Sequence, residues 1–183
     1  NQEIEAKFPI ADAASLRARI LAQGADMLLD EIYEFNLLLD RETNPLEASF
    51  ERLRLRQQGN VTVLTYKRGL KKADGVAFRE EIETEVDDFA NMRLILERLG
   101  YTERFIYEKY RSVFRLNDCS LMLDLTPIGT YLEIEGDSYD QIMAMAERLE
   151  IDPTTAIAAG YASLFQAWKE ANRSSAANML FSN

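Results

Sequence analysis

The sequence predicts an α+β fold, a mostly antiparallel sheet of eight strands with four helices, and three observations carry that expectation. Eight segments alternate apolar and polar residues with period 2, hairpin-length joints of turn residues separate many of them, and four other stretches are helical in pattern. At 183 residues, 47% of them apolar, the chain can build one domain with a real core but not two comfortable ones.

In chain order, the first strand covers residues 2–9 ("QEIEAKFP") and leads to a helix at 11–23, where Asp12 can cap the free N–H groups. Strands at 30–39 and 48–58 flank "DRETNPLE", "QGN" leads into 60–67, and "GLKKADG" leads into 77–86. A helix at 88–99, capped by Asp88 and stopped by Gly100, precedes a strand at 106–116. "LNDCS" and "PIG" then connect strands at 119–125 and 130–136, and helices at 138–149 and 154–171 complete the pattern. The succession of strand and helix ending "LAQGA", then again "LERLGY", suggests two similar halves. In the last helix Ile157, Tyr161, Leu164, Phe165 and Trp168 form an apolar stripe suited to core packing or a dimer contact. Residues 1–172 are expected to form the domain and 173–183 a tail, with Met179, Leu180 and Phe181 as candidates for docking.

Composition narrows the chemistry. Twenty-one basic against 31 acidic residues give a net charge of −10, which argues against nucleic-acid backbone binding. The chain has no histidine and one cysteine, Cys119, so histidine triads and intrachain disulfides are excluded, and any metal must be held by oxygen ligands, as Mg²⁺ or Mn²⁺ is. No apolar run approaches the roughly 20 residues of a membrane-spanning helix and no leader precedes the first strand, so a cytoplasmic protein without a membrane partner is expected.

The strands carry their charges on one face. Glu3, Glu5 and Lys7 share a side of the first, and Arg52, Arg54 and Arg56 a side of the third. Lys67 closes "VTVLTYK", "FREEIETEV" aligns Arg79, Glu81, Glu83 and Glu85, and "YEKYRSVFRL" aligns Lys109, Arg111 and Arg115. Asp124 stands on the seventh strand, and Tyr131, Glu133 and Glu135 share a face of the eighth. A wetted sheet face accounts for any one strand, and solvent or cross-strand pairing for Arg79, Glu85, Arg52 and Arg115. Repetition on seven strands exceeds what solubility needs. If the sheet closes into a barrel with helices outside, the charges point inward, where acids would hold divalent cations and arginines a polyanion.

The ordered motifs "EIEAK" (Glu3, Glu5, Lys7), "RLR" (Arg54, Arg56), "TYK" (Lys67), "REEIE" (Arg79, Glu81, Glu83), "EKYR" (Lys109, Arg111) and "LDLTPIGTYLEIEG" (Asp124, Glu133, Glu135) resemble the CYTH family, or triphosphate tunnel metalloenzymes. That family includes class IV adenylyl cyclases, thiamine triphosphatases and inorganic triphosphatases. The resemblance implies an eight-stranded antiparallel β-barrel, a tunnel with helices packed outside, over residues 1–172. It implies Glu3, Glu5, Glu133 and Glu135 as ligands of Mg²⁺ or Mn²⁺, with Asp124, Glu81 and Glu83 completing or supporting that shell. Arg54, Arg56, Lys67, Lys109 and Arg111 would clamp phosphate oxygens, with Lys7 and Arg79 adding charge.

Within that resemblance, hydrolysis of a triphosphate-containing small molecule is the favoured reading, with Glu3, Glu5, Lys7, Glu81 and Glu83 at the reaction centre. A class IV cyclase making cyclic AMP and pyrophosphate is the alternative, and a noncatalytic polyphosphate or nucleotide binder the third. No residue set in the sequence reads as an adenine pocket. Lys71 and Lys72 in "GLKKADG" fit a solvated hairpin better than a lid over the tunnel mouth. A monomer and a homodimer are both compatible.

Overall fold

The computed structural model describes residues 2–181, apart from the side chains of Leu70 and Lys72. The elements are β1 (Gln2–Ile10), α1 (Ala13–Ala22), β2 (Asp26–Arg41), β3 (Glu51–Gln58), β4 (Val61–Ala73), β5 (Val76–Val86), α2 (Phe89–Arg98), β6 (Tyr101–Leu116), β7 (Cys119–Thr126), β8 (Gly129–Glu135), α3 (Tyr139–Arg148) and α4 (Tyr161–Asn172). The strands close into a barrel in the order β1-β5-β4-β3-β2-β6-β7-β8, with β8 returning to β1, and every pairing is antiparallel. Closure leaves no free sheet edge and forces one face of every strand inward. Exchanging β1–β4 for β5–β8 in that circular order returns the same order reversed, so the recurrence of strand then helix reflects a real twofold pattern of connections.

The apolar face lies outside the barrel. Ile4, Ala6 and Phe8 of β1 pack with Leu132 and Ile134 of β8 against Leu16 and Ile20 of α1 and Ile142 and Met145 of α3. Leu37, Leu39, Leu53 and Leu55 of β2 and β3 meet Leu96 of α2. Asp12, Asp88 and Ser138 cap α1, α2 and α3, each accepting a backbone N–H three residues on. No helix among the described residues is long and apolar enough to cross a membrane.

Several boundaries differ from those the sequence predicts, β3 among them, which starts at Glu51 after a 3-10 turn, Glu47–Ser49. β2 and β6 reach 16 residues each, because their pairing with one another continues beyond the alternating segment. β4 runs through most of "GLKKADG": after a bulge, the backbones of Lys71, Lys72 and Ala73 pair with Phe78, Ala77 and Val76, leaving Asp74-Gly75 as a two-residue turn with φ of +45° and +84°. Positive φ at both positions suits the twist of a hairpin, and Asp-Gly tolerates it. Lys71 is exposed, and the side chain of Lys72 lies outside the described residues. The stretch expected as a helix from 154 instead begins with a 3-10 turn, Pro153–Thr155, and an extended segment in which Ile157 exchanges backbone hydrogen bonds with Lys7 at 2.8 and 3.2 Å. Beyond Glu5, β1 has no partner on its β5 side, and Ile157 supplies one.

A similar gap explains the chain end. β6 pairs with β7 only from Tyr110 onward, and Met179 fills the space before it, donating to Ile106 O at 3.0 Å and accepting from Glu108 N at 2.9 Å. Met179 is fully buried with Phe105, Tyr107, Tyr161 and Phe165, while Leu164 and Trp168 of α4 flank that cluster. The segment expected as a tail is thus docked through Met179 and Phe181, whose N–H donates to Glu108. Residues 182 and 183 lie outside the described residues.

Candidate active site

The inward positions of neighbouring strands stand beside one another across the ladders. Glu3 pairs in register with Arg79, Glu5 with Glu135, Lys7 with Glu133, Lys67 with Glu81, and Arg111 with Asp124. These side chains enclose a cavity of ≈ 280 Å³ walled by Glu3, Glu5, Lys7, Arg54, Arg56, Lys67, Arg79, Glu81, Glu83, Lys109, Arg111, Glu133 and Glu135. Of the residues that the family resemblance implies for the site, only Asp124 does not line it.

Asp124 is fully buried and its carboxylate is saturated. Arg111 grips it in bidentate fashion, Nε to Oδ1 and Nη2 to Oδ2 both at 2.6 Å, Lys109 Nζ donates at 3.0 Å, and Tyr161 Oη donates at 2.5 Å. Behind the same bases stands Glu34, a fully buried residue of β2 that sequence reading passed over. Lys109 lies 3.3 Å from it, Arg111 and Arg56 lie 3.9 Å from it, and Gln58 Nε2 donates to it at 2.9 Å. Burial alone would keep the Glu34 carboxyl neutral, but Lys109, Arg111 and Arg56 outweigh it and hold its pKa to about 2. Glu133 is likewise buried, and Arg111 at 3.0 Å and Lys7 at 3.3 Å keep it well below the usual range. This end of the cavity is a set of cations already fixed in place by acids.

The other end is organised around Lys67. Its Nζ lies 2.5 Å from Glu3 and 3.2 Å from Glu81, while Glu5 meets Arg79 at 3.2 Å and Lys7 at 3.3 Å. Burial, with the charges of Glu3 and Glu83, outweighs Lys67 and pushes the Glu81 carboxyl up to about 7; burial, then Glu3 and Glu5, also raises Glu135. Glu83 accepts from Thr65 Oγ1 at 2.6 Å and from Arg54 at 3.4 Å.

Several buried polar atoms around the cavity have no hydrogen-bond partner: Glu3 Oε2, Glu34 Oε2, both amide atoms of Asn36, and Nε of Arg54 and Arg56. Buried polar groups normally find partners, so this unused capacity suits a bound polar ligand. The Lys67 end also has the chemistry of a hard-cation site. It offers carboxylate oxygens, one of them without a hydrogen-bond partner, and burial together with neighbouring carboxylates raises two of the groups in pKa, a cost that a divalent ion would offset. Among the described residues no three acids already converge on one point; Lys67 holds Glu3 and Glu81 from between them.

The sequence reading missed Glu34, Arg52, Tyr107 and Tyr161. Glu34 shares its inward face with Asn36 and Leu38, so β2 showed no run of charge. Arg52, assigned to solvent, lines the cavity. Tyr161 was read as core stripe, yet its ring also stands 5.1 Å from Lys109 Nζ and 5.6 Å from Lys7 Nζ, and Tyr107 lines the wall beside Arg54. Arg115 and Glu85 remain outside the cavity and exposed.

A model of the CYTH domain family matches residues 1–161. A relative from Methanocaldococcus jannaschii is 27% identical over 158 residues, covering 81% of this chain and 86% of its own. A solved Vibrio parahaemolyticus structure superposes with a TM-score of 0.79 at 16% identity, covering 90% of this chain and 97% of that one. A Hippeastrum protein superposes at 0.65 with 19% identity, covering 90% and 95%. The names of all three call them "putative" adenylate or adenylyl cyclases, and that of the Hippeastrum protein adds a dominant triphosphatase activity. The two structural likenesses bear on the fold alone.

Proposed function

We propose that this chain, which belongs to the CYTH domain family, is a divalent-metal-dependent hydrolase of a triphosphate-containing small molecule. The observation that carries the reading is the single cavity in which fixed Arg and Lys side chains face an under-neutralised acid group. Arg54, Arg56, Lys109 and Arg111 bind phosphate oxygens, arginine through its planar fork, and they neutralise charge that develops on the leaving group. Asp124 and Glu34 act as positioning residues, holding those cations in register before substrate arrives; this replaces the expectation that Asp124 is a metal ligand. Glu3, Glu5, Glu81 and Glu135 would hold Mg²⁺ or Mn²⁺. Such an ion, when bound, supplies charge neutralisation on the phosphates and a more acidic water. Lys67 exchanges Glu3 and Glu81 for phosphate oxygens as the site fills. Glu81, in the same group of acids, would accept the proton of the attacking water.

Glu5→Gln and Glu135→Gln test the reading: each is expected to abolish metal-dependent phosphate release with the circular dichroism spectrum unchanged. Wild-type-like turnover in either would sink the assignment. The name of the Methanocaldococcus jannaschii relative favours a second reading, cyclisation of ATP. Chromatography of the products from ATP decides between them, since cyclic AMP and pyrophosphate would replace released phosphate.

A further inference from the structure

Midway along β2 stands a fully buried amide with no partner. Asn36 is 0% exposed, neither its Oδ1 nor its Nδ2 makes a hydrogen bond, and it does not line the charged cavity. An unpaired amide in the interior is costly, and native proteins keep few of them.

Its neighbours are unpaired in the complementary sense. Two residues earlier on the same inward face of β2, Glu34 Oε2 accepts no hydrogen bond, although Lys109 Nζ lies 3.3 Å from it. Directly opposite on β3, in register with Asn36, Arg56 Nε donates none. Residues facing one another across an antiparallel pair have Cβ atoms roughly 4.5–5.5 Å apart, which brings the amide within reach of that guanidinium. The four idle atoms are two donors, Arg56 Nε and Asn36 Nδ2, and two acceptors, Asn36 Oδ1 and Glu34 Oε2. Two hydrogen bonds, Arg56 Nε–H to Asn36 Oδ1 and Asn36 Nδ2–H to Glu34 Oε2, would leave none of the four idle.

Arg56 is also the most loosely held of the four bases that face phosphate in the proposed function. Arg111 and Lys109 hydrogen-bond Asp124, and Arg54 donates to Thr65 and Glu83. Among the described residues Arg56 donates no side-chain hydrogen bond, and its one ion-pair partner, Glu34, is 3.9 Å away. Burial and the neighbouring Arg54 disfavour its charged form, which an anion in the cavity would favour.

We infer that Asn36 is a positioning residue for Arg56: as phosphate enters, the relay from Glu34 through Asn36 to Arg56 closes and sets the Nη fork of Arg56 on the phosphate oxygens. The inference rests on the triphosphate reading of the cavity and adds to it a residue that never touches the substrate. The empty protein bears the cost of the idle amide, and binding recovers it. The test is calorimetric titration of inorganic triphosphate in the absence of metal. Asn36→Leu keeps the branched outline of the side chain and removes its polar atoms. The urea midpoint of the empty protein should therefore be unchanged or raised, while triphosphate affinity falls about tenfold, the scale of one hydrogen bond made by a charged group. Asn36→Ala should show the same loss, should leucine disturb the packing. A merely structural role would weaken binding in every background, whereas a role through Arg56 vanishes with that residue. Asn36→Leu should thus cost nothing further in Arg56→Ala and the full tenfold in Arg54→Ala. Wild-type affinity in both Asn36 variants, or losses that add in the Arg56→Ala background, overturn the inference and leave the cavity reading intact. Failure of the wild-type chain to bind triphosphate overturns the cavity reading and this inference with it.

Discussion

The two ends of the charged cavity are built from the same residue types and behave oppositely. Around Asp124 the bases enclose the acids: Lys109, Arg111, Arg56 and Lys7 surround Asp124, Glu34 and Glu133, and the last two are held ionised far below their ordinary range. Around Lys67 the acids enclose a base: Glu3 and Glu81 flank it, and Glu81 and Glu135 resist ionisation. Which sign is in surplus therefore decides what each end is prepared to receive. In the proposed function the first is a clamp assembled before the anion arrives, with its orientation cost met during folding. The second is short of positive charge, and that shortage is what a cation would fill.

The sharpest way to break the contrast is Asp124→Asn. It leaves Arg111 and Lys109 buried without their central counter-ion, and a loss of about 3–5 kcal/mol of stability is expected, read from urea unfolding with an unchanged slope. Glu135→Gln at the other end removes a crowded charge and should leave the unfolding midpoint unchanged or raised. Tyr161→Phe is smaller: it deletes the 2.5 Å hydrogen bond to Asp124 while keeping the ring beside Lys7 and Lys109, for an expected loss of about 1.5–3 kcal/mol.

The pH dependence of stability, measured in EDTA, sharpens the same comparison. Glu81 is raised from 4.5 to about 7 on folding, so the folded state keeps its proton longer, and stability should decline as pH rises across that interval. Glu34 is lowered from 4.5 to about 2, so its contribution is complete above 4.5 and is lost as pH falls toward 2. Glu81→Gln should flatten the decline between 4.5 and 7 without touching the acid limb. An unaltered upper limb in that variant would show that Glu81 is not what sets it.

Much of this cavity was legible in the sequence because a barrel strand repeats every second residue, and charge on one face of β1, β3, β5, β6 and β8 shows directly. What stayed hidden depends on register between strands. Nothing local to "LMLDLT" says that Asp124 faces Arg111, and so it reads as a free acid when it is a saturated one. Glu34 stands on a face shared with an amide and a leucine, and its charge acquires meaning only from Lys109 on β6. The start of α4 was misplaced for a similar reason, since the apolar "AIAAG" fits a helical pattern while the unpaired backbone of Lys7 draws Ile157 into extended pairing. Arg52 stands at the entry of β3, where its sequence neighbours fit solvent pairing as well as they fit the cavity wall it joins.

In the proposed function the charges around Asp124 receive the anion and those around Lys67 the cation, and calorimetric titration of Mn²⁺ and of inorganic triphosphate, each alone, into wild type, Glu135→Gln and Arg56→Ala separates the two. The expected result is a crossed pattern. Glu135→Gln should lose Mn²⁺ binding and keep or gain affinity for triphosphate, and Arg56→Ala should weaken triphosphate at least tenfold with Mn²⁺ binding preserved. Parallel weakening of both ligands in both variants would contradict the division of the cavity.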